Sequence, residues 1–157
     1  MPVEELRALL RYEPETGHLY WKVSTHGRRM SQPAGHPHPK TGYVSLMING
    51  ERWQAHGLIW FLVTGDWLLV DHRDLNGSNN VWENLRPATN SQNGVNRKAW
   101  AKSGFKGVYP TASGKWTARI KVDGKIINFP SRVTAEEAWH DYCAAARRHF
   151  GEFARFD

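Results

Sequence analysis

Val3, Leu6, Leu9 and Leu10 recur at helical spacing in "VEELRALLRY", which predicts a short first helix. "EPETG" is turn chemistry, and the following "HLYWKV" alternates as a strand. Residues 24–42 are rich in Gly, Pro, His and Ser and read as a long loop. "YVSLMI" and "ERWQA" flank Asn49-Gly50, whose tolerance of positive φ predicts a tight hairpin turn. "HGLIWFLVTG" reads as a buried helix that can end at Gly65. A strand "WLLVDH", an asparagine-rich loop and a short return strand "WENLR" come next. Thr89-x-x-Gln92 is a capping-box pattern, opening a helix over roughly Asn90 to Lys98. "AWAKSG" is small and polar enough to be a linker.

Beyond it the pattern changes to three strands, "FKGVYP", "GKWTARIKV" and "KIINF", with Asp123-Gly124 turning the last hairpin. Thr134-x-x-Glu137 caps a helix that runs to about Phe150 and closes at Gly151. In the central strand Lys115, Thr117, Arg119 and Lys121 share one face, and Trp116, Ala118, Ile120 and Val122 the other. Ala135, Ala138, Trp139, Tyr142 and Ala146 recur at helical spacing and can cover the apolar face. The opposite face is left cationic, and such a sheet is of a size to enter a DNA major groove.

The chain has 157 residues, 40% of them apolar, so it can bury a core; eight tryptophans spread from Trp21 to Trp139 suggest several small packing units. Net charge is +6, which points to an anionic partner. It is uneven: residues 1–100 carry +2 and residues 101–157 carry +4, and Asp123 alone opposes seven basic residues between Lys102 and Arg132. Cys143 is the single cysteine, which excludes an internal disulfide framework and a four-cysteine zinc site. With no signal-peptide layout and no apolar run of membrane-spanning length, a reducing cytoplasm is expected.

The chemistry concentrates in "VDHRDLNGSNNVWENLR", residues 70–86. A strand, a loop, a short strand and a capped helix form a ββα order that could bring Asp71 and Asn93 to one metal ion. A carboxylate and an amide oxygen are hard donors, suited to Mg²⁺ or Mn²⁺ rather than zinc. Histidine titrates near neutral pH, so His72 is the natural base to take a proton from water. Asn80 and Asn84 can hydrogen-bond loop backbone and tolerate left-handed conformations.

"VDHRDLNGSNNVWENLR" followed by "ATNSQNGVNR" resembles the HNH (His-Me finger) nucleases, above all phage and intron-encoded homing endonucleases. The resemblance runs from about residue 3 to residue 98, because "YEPETGHLYWKV" and "GYVSLMINGERWQAHGLIW" are similar to the usual lead of those proteins. It implies that Asp71 and Asn93 are metal ligands, that His72 is the general base and that Asn84 pins the loop. The pattern departs from the family at Gly57, Asp74 and Val81, positions where members commonly have Arg, Asn and Arg. "GFKGVY", "GKWTARI" and "TAEEAWHDYCAAARRHFGEFARF", within residues 103–156, resemble the ethylene-response-factor (APETALA-type) DNA-binding domain. That resemblance implies DNA contacts from Lys106, Tyr109, Lys115, Arg119 and Lys121, whereas alternation assigns Trp116 to the core.

The expected fold is α+β: a ββα-metal nuclease domain over residues 1–100, its motif at about 54–98, then a three-stranded antiparallel sheet packed on one helix over 101–157. The expected activity is hydrolysis of phosphodiester bonds in double-stranded DNA with one Mg²⁺ or Mn²⁺ per active site and no zinc. The resemblance implies 5′-phosphate and 3′-hydroxyl ends. A monomer with one centre would nick, and a dimer could break both strands. The rival expectation is a DNA-binding regulator on the same scaffold without turnover. RNA is disfavoured because the sheet offers no exposed aromatic platform for unpaired bases.

Overall fold

A computed structural model describes residues 1–25, 29–96 and 103–156. The architecture is mixed, with four helices and four small antiparallel sheets among the described residues. The chain divides into two compact units, Met1–Ala88 and Thr89–Asp157.

In the first unit, helix α1 spans Val3–Leu9. It ends earlier than its spacing predicts, because Leu10–Glu13 is a strand, β1, paired antiparallel with β2, His18–Trp21. Leu10 leaves helical geometry at φ −125° and pairs with Trp21, so both apolar side chains reach the core from the sheet. Among its described residues the predicted long loop holds one short strand, β3, His36–Pro37, on the edge of the predicted hairpin. That hairpin is β4, Val44–Ile48, and β5, Glu51–Gln54. Asn49 and Gly50 have φ of 51° and 82°, the two positive angles a type I′ turn requires.

Helix α2, Ala55–Thr64, is capped by Gly65 as its sequence predicts. Leu58 and Ile59 are fully buried beside Leu6, Leu10 and Ile48. Each such side chain contributes about 1.5–3 kcal/mol through the apolar surface it removes from water. The strand after α2 is shorter than predicted: β6 is only Val70–His72, because its partner β7, Leu85–Pro87, offers three residues. Trp67 instead stacks on Phe61 and Trp53, at centroid distances of 4.2 and 5.3 Å. "WENLR" is also only partly a strand, since Trp82–Asn84 forms a 3₁₀ turn with Trp82 stacked on Trp60.

In the second unit, α3 spans Asn90–Val95, with both capping-box bonds between Thr89 and Gln92 formed. Asn96 is its C-cap, and residues 97–98 of its predicted length and most of the predicted linker lie outside the described residues. Strands β8, Val108–Pro110, β9, Trp116–Val122, and β10, Lys125–Asn128, form a sheet in the order β10-β9-β8. Helix α4, Ala135–Phe150, opens on the predicted Thr134–Glu137 box. It buries Ala138, Tyr142, Cys143 and Ala146 with Val108, Ala118 and Ile120 of the sheet. Thr117 breaks the predicted alternation: it is buried, and its hydroxyl donates to the Phe129 carbonyl at 2.8 Å.

Candidate active site

Strand β6 delivers Asp71 and His72 side by side, both buried. In the β6–β7 register Asp71 stands opposite Arg86, and facing side chains of an antiparallel pair lie close enough to bond. Arg86 donates from Nε and Nη2 to Asp71 Oδ2 at 3.1 and 2.9 Å. Both side chains are under a tenth exposed, so the pair is desolvated and either charge left alone would be costly.

His72 is 2% exposed. Its Nε2 lies 3.0 Å from Asn80 Oδ1. The rings of Tyr43 and His56 meet it edge-on at centroid distances of 5.6 and 5.0 Å. Burial, then the neighbouring His72, push the His56 imidazole down to about 4, with Asp71 pulling the other way. Its Nδ1 is buried and has no hydrogen-bond partner among the described residues.

The asparagine-rich loop is held from within. Asn84 Oδ1 accepts from the Asp74 N–H at 3.0 Å, and its Nδ2 donates to the Asn79 carbonyl at 2.7 Å and to Asp74 Oδ1 at 2.9 Å. Asp74 also accepts from the Asn76 N–H at 2.9 Å and from Asn79 Nδ2 at 2.6 Å. Burial works to raise its carboxyl, but these hydrogen bonds outweigh it and hold it below the usual range. The left-handed residue of the loop is Leu75, at φ 65°, and none of the asparagines that sequence reasoning nominated.

Asn93 lies on α3 in the second unit, half-buried. Asp71 and Asn93 both offer oxygen donors of the kind Mg²⁺ or Mn²⁺ accepts, so the donor chemistry fits a hard cation. Two of the carboxylate's roughly four acceptor sites go to Arg86. Among the described residues no three of His, Cys, Asp and Glu gather as a metal-binding group.

On the sheet of the second unit, Tyr109, Lys115, Arg119 and Lys121 are exposed. The Arg119 guanidinium lies 5.3 Å from the centre of the Tyr109 ring. Lys106 is half-buried, and its ammonium donates to the Val95 carbonyl. Lys106, Tyr109, Arg119 and Lys121 line a cleft of ≈ 450 Å³ floored by Val95 and Tyr142. Of the remaining histidines, His18, His36, His38, His140 and His149 are exposed, and His26 lies outside the described residues.

Sequence reasoning missed Arg86 and Tyr43 around the Asp-His pair. Arg86 could have been found by pairing the two short strands in register, which sets it opposite Asp71. Tyr43 reaches His72 only through the tertiary fold, and no local signal marks it.

Comparison with known proteins bears on this segment. Residues 54–95 match the HNH endonuclease family. The chain is 33% identical over 119 residues to an uncharacterized HNH endonuclease of Acanthamoeba polyphaga mimivirus, covering 73% of this chain and 62% of that protein. It therefore spans about three fifths of that relative's length. A solved structure of the HNH homing endonuclease I-HmuI, on DNA binding and cleavage by that enzyme, is similar at 19% identity and a TM-score of 0.44, over 94% of this chain and 88% of the other. Among the described residues no helix is long and apolar enough to cross a membrane. By sequence, the segment that carries Asp71, His72, Asn84 and Asn93 is similar to HNH endonucleases.

Proposed function

We propose that this protein is a divalent-metal-dependent DNA endonuclease of the homing type that hydrolyses phosphodiester bonds in duplex DNA. The observation that carries the proposal is the match of residues 54–95 to the HNH endonuclease family, over a strand that sets Asp71 beside His72. The likeness to the mimivirus HNH endonuclease supports the same reading.

In this reading His72 takes a proton from the attacking water. Asp71 and Asn93 hold one Mg²⁺ or Mn²⁺, which when bound supplies charge stabilisation at the scissile phosphate and the departing 3′ oxygen. Arg86 orients the Asp71 carboxylate through two bonds to Oδ2. Asn84 and Asp74 stiffen the loop so that base and carboxylate keep their register. The products are 5′-phosphate and 3′-hydroxyl ends. Residues 1–100 form the nuclease domain, and the sheet of residues 101–157 reads DNA through Lys106, Tyr109, Lys115, Arg119 and Lys121.

Incubating the purified protein with phage or bacterial DNA and Mg²⁺ or Mn²⁺, then mapping the ends, tests this. Metal-dependent cuts with 5′-phosphates support the reading. DNA binding without cleavage under either metal would assign the alternative, a DNA-binding regulator on a nuclease scaffold.

A further inference from the structure

Asn80 is 3% exposed and sits between the candidate base and the N-terminal hairpin. Its side-chain Oδ1 meets His72 Nε2 at 3.0 Å, and its Nδ2 points to the Ser78 carbonyl at 3.4 Å. With the amide reversed, its oxygen would face the Ser78 carbonyl oxygen, two acceptors with no proton between them. The oxygen therefore belongs toward His72, and an acceptor there requires the imidazole proton on Nε2. In a neutral imidazole the lone pair then lies on Nδ1.

The same residue is gripped from β1 and from the turn that joins it to β2. The Tyr12 hydroxyl donates to the Asn80 carbonyl at 2.8 Å, across 68 residues of sequence. The Trp82 N–H donates to the Pro14 carbonyl at 3.3 Å. Gly17, at φ +73°, lies against the peptide that follows Asn80: a Cβ there would come within 2.5 Å of the Asn80 carbonyl carbon and the Val81 nitrogen. Only glycine fits that approach without moving the loop. Burial, then Glu15, raise the Tyr12 phenol to about 12, so it stays a donor throughout the neutral range.

We infer that Asn80 is a positioning residue that fixes the Nε2–H tautomer and ring orientation of His72, and that the β1–β2 hairpin, through Tyr12 and Gly17, holds Asn80 in place. The inference rests on the reading of His72 as the general base. It gives the N-terminal hairpin a task in the chemistry: it sets which nitrogen carries the lone pair.

The test is ¹⁵N NMR of the histidine rings in the full-length protein, beside steady-state cleavage. Wild type should show His72 as the Nε2–H tautomer. Asn80→Ala should convert it to a mixture and lower kcat on the order of 10–10²-fold, part of the ~10²–10⁴ a general base supplies, with KM within about two-fold. Tyr12→Phe, which removes one hydroxyl and leaves the ring packed, should move the tautomer ratio in the same direction as Asn80→Ala. It serves as the readout should Asn80→Ala fail to fold. A wild-type Nδ1–H tautomer, or a tautomer that both Asn80→Ala and Tyr12→Phe leave unchanged, would overturn the inference. Wild-type protein that never cuts DNA would instead remove the reading on which it rests, and the NMR arm separates the two failures because it needs no turnover.

Discussion

Arg86 donates two hydrogen bonds to one oxygen of Asp71, at 3.1 and 2.9 Å, across a two-stranded ladder three residues long. The ladder is short, and the buried ion pair ties its two strands together. Arg86→Ala would leave a desolvated carboxylate without its partner, so it should cost about 3–5 kcal/mol of unfolding free energy. Arg86→Lys keeps the charge but loses the fork and should fall between the two. Urea denaturation of the three proteins measures this; a loss below about 1 kcal/mol for Arg86→Ala would mean that the pair is not a structural tie.

Stability should fall on acidification, through His56. Its imidazole is pushed down to about 4, first by burial and then by His72, while the unfolded chain titrates near the ordinary value of 6.5. Between those values the unfolded state binds more protons, so the unfolding free energy drops as pH falls from about 6.5 to about 4 and is flat for this group above. The group accounts for up to roughly 3 kcal/mol. Melting temperatures at pH 7 and pH 5 should differ in wild type and differ less in His56→Gln. Equal pH dependence in both would remove His56 from the account.

Asn84→Ala should lower both stability and cleavage. Its amide bonds the Asp74 N–H and the Asn79 carbonyl, and the net loss of an ordinary hydrogen bond at such partly exposed groups costs about 0.5–1.5 kcal/mol. Thermal melts and cleavage rates check this together. A variant that melts like wild type but has lost activity would move Asn84 from the scaffold into the chemistry.

The readable parts of this chain were those decided by near neighbours. Asn49-Gly50, the Thr89 and Thr134 capping boxes and the Gly65 cap each act within four residues, and all four formed. Where partners are remote the pattern misled. Leu10 fits a helix by spacing but joins Trp21 in a sheet, and "WLLV" fits a strand but finds only three residues to pair with. Asp71 and His72 were visible as a dipeptide, whereas Arg86, Tyr43 and Tyr12 reach them or their supports across 15, 29 and 68 residues. No local rule ties residues that far apart.

DNA binding should weaken steeply with salt, since each phosphate neutralised releases condensed counterions with a slope of about −0.9 in log K against log salt. Lys121→Ala should reduce that slope by about one unit for every sequence alike. Arg119→Ala should instead relax preference at one base position, at a cost of ~1–3 kcal/mol. Fluorescence titrations of full-length protein against specific and random duplexes distinguish the two. Unchanged binding in both variants would mean that the sheet is not the reader.

The role of His72 as the general base of a DNA-cutting centre is tested by comparing wild type with His72→Ala on duplex DNA at saturating Mg²⁺ or Mn²⁺. The substitution should lower the cleavage rate about 10²–10⁴-fold with DNA affinity almost unchanged, because a base acts on the transition state and adds little to ground-state binding. Cleavage by His72→Ala at near the wild-type rate would contradict it.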